Sequence, residues 1–103
     1  MSVLFSGNKI SAYGASATST TLMYHYNMQF LQSIYDDFKV KQGLYSPGFH
    51  IPVFNPSAIY KHKPDYIIIL AWRYKDKIIK KHREFLKNGG KFIIPLPKFR
   101  IIG

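Results

Sequence analysis

Residues 66–70, Tyr-Ile-Ile-Ile-Leu, form an apolar run with no polar residue at alternate positions. A strand with one face in water alternates apolar and polar side chains, so an unbroken run belongs to a strand covered on both faces. Such coverage calls for helices on two sides of a sheet, and hence a parallel, helix-connected architecture. Even extended to Trp72, the run is far shorter than a bilayer span, and no other apolar stretch exceeds it.

The remaining sequence supplies matching parts. Short apolar runs at 9–13, 31–35, 51–54 and 91–94 read as further strands. Residues 18–26 read as a helix with Leu22, Met23 and Tyr26 on its apolar face. Ser16 is placed to cap it, because its hydroxyl can accept from an N–H of the first turn. Asn55-Pro56 opens a helical turn over 56–61, since proline is preorganised for the first helical position. Residues 75–88 read as the clearest helix: Ile78, Ile79, His82, Phe85 and Leu86 make an apolar stripe, and Asn88-Gly89-Gly90 stops it. Between Asp36 and Ile51 there is no helical pattern, and Phe38, Tyr45 and Phe49 argue for an ordered loop folded over the sheet edge.

Strands that alternate with helices pair in parallel through right-handed crossovers. The expected fold is therefore α/β: a Rossmann-like, three-layer, doubly wound domain over 9–97 with a five-stranded, mainly parallel sheet of order 3-2-1-4-5. Strand 66–70 is central, and strand 51–54, which carries Pro52, lies at an edge. Residues 1–8 and 98–103 read as tails, and 103 residues suit one such domain.

Composition removes several function classes. There is no cysteine, so neither a disulfide framework nor a thiolate metal site is available. His25, His50, His62 and His82 show no paired ligand spacing, and no metal site is expected; His82 reads as packed, His25 and His62 as solvent-facing. Residues 1–7 lack the basic flank and apolar stretch of a secretory signal, so the expected location is the cytoplasm. Fifteen Lys and Arg against five Asp and Glu give a net charge of +10. Either an anionic partner or a solvated lysine-rich surface accounts for that charge. No stacking motif accompanies the lysines, so specific nucleic-acid binding is not expected, and no membrane partner is expected.

In a doubly wound sheet, ligands bind beyond the carboxyl ends of the strands, where strand order reverses. Gly14, Ala15, Ser16 and Ala17 after the first strand, and Ala71, Trp72 and Arg73 after the fourth, would border that crevice. The start of the first helix adds unpaired N–H groups, a positive dipole end and the hydroxyls of Thr18, Ser19 and Thr20, a seat for phosphate or carboxylate. Asp36 stands where dinucleotide folds place a ribose-binding acid, although Gly14-Ala15-Ser16-Ala17 is not a G-x-G-x-x-G fingerprint. Gly14 therefore also reads as a tight turn, and Asp36 as a turn-forming or loop-anchoring carboxylate. Trp72 either stacks on a base or partner or covers its own core. His50, near Tyr45, is either a base or phosphate donor, or structural. No nucleophile arrangement or carboxylate pair is visible, and no catalytic residue is assigned.

The ordered segments ISAYGASATSTTL, IYDDFKVKQGLYSPGFHIPVF, KPDYIIILAWRY and GGKFIIPLP resemble the C-terminal domain of S-adenosylmethionine-dependent sugar C-methyltransferases over 7–97. Tyr13-Gly14-Ala15, Lys41-Gln42-Gly43, Pro47-Gly48, His50-Ile51-Pro52, Pro64-Asp65-Tyr66 and Ala71-Trp72 stand at the family's matching positions. The resemblance implies an accessory domain that helps bind a nucleotide-linked sugar, working with methyltransferase domains in cis or in trans. It implies no cofactor here: zinc and S-adenosylmethionine would belong to sister domains, and the isolated domain would be inactive. The implied substrate contacts are Gly14, Ala15, Ser16, Ala17, Thr18, Asp36, Lys41, Gln42, Tyr45, His50, Trp72 and Arg73. Two departures matter. Residues 17–21 lack the lysine that the family's A-K-G-N-T carries, and Arg73 stands where the family often has asparagine. The Arg73 guanidinium either replaces the missing charge or marks a changed ligand. The alternatives are a structural domain that packs only on its sister domains and, third, a basic nucleic-acid binder.

Overall fold

The computed structural model describes residues 7–103, so the N-terminal tail expected over 1–8 lies outside the described residues except for Gly7 and Asn8. Chain order is β1 (Ile10–Tyr13), α1 (Ala17–His25), β2 (Ile34–Tyr35), β3 (Val53–Phe54), α2 (Ile59–His62), β4 (Tyr66–Ile69), α3 (Lys75–Lys81), α4 (Arg83–Lys87), β5 (Lys91–Ile94) and β6 (Arg100–Ile102). The strands form one sheet of order β3-β2-β1-β4-β5-β6. All neighbours pair in parallel except β5 and β6, which are antiparallel.

The unbroken run behaves as its chemistry requires. Ile68 and Leu70 face one core with Ile10, Ala12, Ile34, Met23 and Met28, while Ile67 and Ile69 face the other with Tyr13, Tyr35, Ile59, Ile78 and Phe85. Ile67, Ile68 and Ile69 of β4 and the following Leu70 are all buried, and β4 sits between β1 and β5 in the middle of the sheet. The sheet has six strands where five were expected. Arg100–Ile102, assigned from sequence to a tail, pairs as Phe92↔Ile102, Ile93↔Ile101 and Ile94↔Arg100. Its Arg-Ile-Ile is too short for a period-2 signal, and only the return of the chain along β5 makes it a strand.

The helices also depart in detail. Ser16 caps α1 as expected, accepting from the Ser19 N–H at 3.1 Å. Met23 is buried and Leu22 half-buried, but Tyr26 is exposed at the C-terminal cap, and Met28 beyond the helix is buried instead. The helix expected over 75–88 is broken into α3 and α4 at His82, where φ is −116° and ψ 40°. Its inward stripe survives the break, with Ile78, His82 and Phe85 all buried.

The segment 36–52 closes the β3 edge as an ordered loop, with one 3-10 turn over Lys39–Lys41 that the sequence did not announce. Its return limb runs beside β3: the Gly43 N–H donates to Val53 O, Val53 N–H to Leu44 O and Ser46 N–H to Ile51 O. At its far end Phe49 packs on Tyr24 of α1, ring centroids 4.8 Å apart. Of the three aromatics expected to order this loop, only Phe49 is packed inward; Phe38 and Tyr45 are exposed.

Candidate functional site: the crevice between the β1 and β4 loops

Strand order reverses between β1 and β4, and their following loops touch. Leu70 N–H and Ala71 N–H both donate to Tyr13 O, at 2.9 and 3.2 Å. Gly14 then turns with φ +107°, and a Cβ there would lie 2.8 Å from Ala71 Cβ. Only glycine combines that backbone with that approach.

Three segments that the sequence separates meet beside this turn. Asp36, just past β2, is buried, and its carboxylate accepts from Ala15 N–H at 2.8 Å and from Phe38 N–H at 2.9 Å. Lys41 reaches from the long loop to donate its ammonium to Ala15 O. Gln42 donates from Nε2 to Asp36 O at 2.9 Å. Gly14, Ala15, Ser16, Asp36, Lys41 and Gln42 are thus assembled around the start of α1. Of the two readings of Asp36, the geometry matches the loop anchor: both oxygens hold backbone N–H groups.

The helix start is less open than expected. The N–H of Ser19 is taken by Ser16 Oγ, that of Thr20 by Ser16 O, and that of Ala15 by Asp36. The Ser19 hydroxyl bonds Ser16 Oγ and the Thr20 hydroxyl bonds Ser16 O. The helix dipole end and the Lys41 ammonium supply the positive charge at this helix start. On the other wall, Trp72 is half-buried in the loop after β4, and the Arg73 guanidinium sits 5.3 Å from its ring centroid.

Two expected residues are placed elsewhere. Tyr45 lines a shallow depression of about 440 Å³ on the β3 edge, with Leu44, Pro52 and Phe54. His50 is exposed in a turn with φ +55°, its N–H donating to Ser46 O. A second open cleft, about 540 Å³, lies near the amino ends of β4 and β5, lined by Tyr60, Lys63, Asp65 and Asn88 among others.

A polar chain that sequence reasoning missed flanks the crevice on the α3 side. Lys81 pairs with Asp37 Oδ1 at 2.6 Å, and Tyr13 Oη donates to Asp37 Oδ2 at 2.8 Å. His82 Nε2 lies 3.3 Å from Tyr13 Oη, and Tyr60 Oη 2.9 Å from His82 Nδ1. A carboxylate only accepts, so Tyr13 donates to Asp37, receives from the His82 Nε2–H, and leaves neutral Nδ1 to accept from Tyr60. Burial and then the nearby Lys81 charge hold His82 below its ordinary value, against a smaller pull from Asp37. Burial opposes ionisation of Asp37, but bonds from Lys81 and Tyr13 overcome it and lower its pKa. Burial, then the bond to Asp37, push the Tyr13 phenol far above its ordinary range. The apolar spacing did place His82 inside; nothing in the sequence linked it to Tyr13 and Tyr60. His62, expected in solvent, is half-buried, with Nδ1 2.9 Å from Tyr35 Oη.

Among the described residues no group of His, Asp or Glu is arranged to hold a metal ion, and no helix is long and apolar enough to cross a membrane. The fold and the crevice define a Rossmann-like α/β domain with a switch-point cleft. The chain belongs to the C-methyltransferase C-terminal domain family, whose model matches residues 2–97. It is 37% identical over 105 residues to the C-methyltransferase NovU of Streptomyces niveus, covering 97% of this chain and 24% of that protein. The chain thus spans about a quarter of the length of the curated relative it matches. Among solved structures it is similar in fold to a UDP-D-quinovosamine 4-dehydrogenase from Vibrio fischeri. The TM-score is 0.65 at 15% identity, with 93% of each chain covered.

Proposed function

We propose that this domain helps hold the nucleotide-linked sugar substrate of a C-methyltransferase in the crevice between the β1 and β4 loops. The observation that carries the reading is Lys41: it crosses from the long loop to the carbonyl of Ala15, beside the positive end of α1. A diphosphate entering there exchanges a neutral carbonyl for an anionic acceptor, which adds Coulombic attraction to the bond that the ammonium already makes. Arg73, exposed above Trp72, offers a second cation on the opposite wall, and the part of the Trp72 ring that it leaves uncovered offers an apolar surface to base or sugar. Asp36 and Gln42 act as positioning residues, fixing the loop from which Lys41 reaches.

The domain assigns no residue to the methyl transfer. Zinc and the methyl donor are proposed to belong to the remaining three quarters of an enzyme of the relative's length. Calorimetric titration of the chain with a nucleoside diphosphate sugar tests the binding role. Binding near millimolar is expected for a few exposed contacts, weakened about tenfold by Lys41→Ala. Equal binding by the wild type and Lys41→Ala removes the diphosphate from this crevice.

A further inference from the structure

Val40 and Phe38 are the two most exposed of the large apolar side chains described, at 80% and 68%, and Leu44 and Tyr45 follow in the same segment. Their backbone is pinned: Asp36 holds the Phe38 N–H, Lys41 N–H closes a turn on Phe38 O, and Gly43 and Leu44 pair with Val53. Leu44 and Tyr45 continue onto Pro52 and Phe54 around the depression of about 440 Å³. Apolar side chains displayed from an ordered edge form the kind of patch that marks an interaction surface.

Two features select the occupant. The matching relative is about four times as long as the region it shares with this chain, so in that protein this domain has a large neighbour in cis. Lys39 stands between Phe38 and Val40, Lys41 follows, and the chain carries +10, so a second copy would bring like charges together. We infer that the exposed apolar side chains of this loop and of the adjoining β3 edge, Phe38, Val40, Leu44, Tyr45 and Phe54, dock the remaining portion of a C-methyltransferase of the relative's length, which presents apolar groups with acidic groups opposite Lys39. The inference stands on family membership and on this surface, not on ligand binding in the crevice. It gives the loop two duties: its apolar side chains hold the partner while Lys41 and Gln42 of the same segment meet the crevice, so docking fixes the substrate-side contacts.

Hydroxyl-radical footprinting tests it by reading side-chain access directly. The chain alone is compared with a hybrid in which it replaces the matching quarter of the Streptomyces niveus relative. Oxidation of Phe38, Leu44 and Tyr45 should fall about fivefold or more in the hybrid, as expected of side chains entering a desolvated interface centre. Tyr74, exposed on a different loop, is the internal reference. Val40→Asp in the hybrid should restore oxidation to the level of the isolated chain; at so exposed a position it leaves the fold intact, which circular dichroism checks. Equal oxidation in hybrid and isolated chain overturns the inference. So does protection that appears in the isolated chain as its concentration rises, which assigns the face to a second copy. Should the hybrid not fold, gel filtration of the chain with the relative lacking that quarter gives the same decision. A complex abolished by Val40→Asp supports the inference; no complex, or one indifferent to Val40→Asp, refutes it. Calorimetry on the isolated chain reads the crevice separately, so either reading can fail alone.

Discussion

Replacing Tyr13 by phenylalanine removes one oxygen from the polar chain beside the crevice. The His82 Nε2–H then has no partner in a buried position, where its Nδ1 already accepts from Tyr60. An unsatisfied buried donor costs about 1–3 kcal/mol. Asp37 also loses a bond, but its carboxylate is half-exposed and retains Lys81, so water replaces most of that loss. The expected destabilisation is therefore about 2 kcal/mol, a fall in Tm of roughly 8–16 °C for a domain of this size. Thermal and urea unfolding followed by circular dichroism measure it. The double variant Tyr13→Phe with His82→Leu should be less destabilised than the sum of the single variants, because the two side chains share one bond. A loss below about 0.5 kcal/mol, the scale of ordinary surface substitutions, or strict additivity of the pair, would show that Tyr13 does not satisfy the buried His82 N–H.

The same chain sets an acid sensitivity. His82 is held below its ordinary value of 6.5, so its contribution is complete above that pH and is lost progressively as pH falls from there through the lower folded value; Asp37, also lowered, adds a second loss in the carboxylate range. Urea midpoints across pH 4–8 should show the first decline in the wild type and lack it in His82→Leu. Tyr13 titrates in the opposite sense: its raised pKa makes stability fall as pH rises beyond 10, the ordinary tyrosine value. Gly14→Ala places a side chain at φ +107° and 2.8 Å from Ala71 Cβ, for an expected loss of about 2 kcal/mol in unfolding experiments. Asp36→Ala removes two charge-assisted bonds to Ala15 and Phe38, so both amides should shift and exchange faster in NMR spectra while the β5–β6 amides stay still. DNA or RNA binding should be weak, independent of sequence and steeply reduced by salt; binding that survives physiological salt would make the +10 charge functional.

The parts of this molecule that repeat locally were legible in its sequence. The run over 66–70 announced a doubly covered central strand, the stripe on 75–88 placed Ile78, His82 and Phe85 inward, and Ser16 announced its own cap. What was not legible depends on partners far along the chain. Arg100–Ile102 becomes a strand only beside β5, and His82 interrupts its helix where its ring meets Tyr13 and Tyr60. The crevice shows the same division. Its walls followed from the alternation of strands and helices, whereas the anchoring of Ala15 by Asp36 and the reach of Lys41 join residues 21 and 26 positions apart. The family resemblance implies Tyr45 as a substrate contact beside Lys41, yet the reversal of the chain at Gly43 carries it to the β3 edge.

Whether the crevice between the β1 and β4 loops holds part of a nucleotide-linked sugar is read residue by residue in backbone-amide NMR spectra. Titrating labelled chain with a nucleoside diphosphate sugar to millimolar concentration should shift the amides of Gly14, Ala15, Ser16, Lys41, Gln42 and Trp72 together, along one saturating curve. Arg73→Ala should weaken that response, and Lys41→Ala should weaken it further, because Lys41 alone lies at the Ala15 carbonyl. The exposed β3-edge residues Leu44 and Tyr45 should remain still. Stationary crevice amides at millimolar ligand, or shifts confined to the β3 edge or to the cleft beside Asn88, would show that the sugar nucleotide does not bind in this crevice.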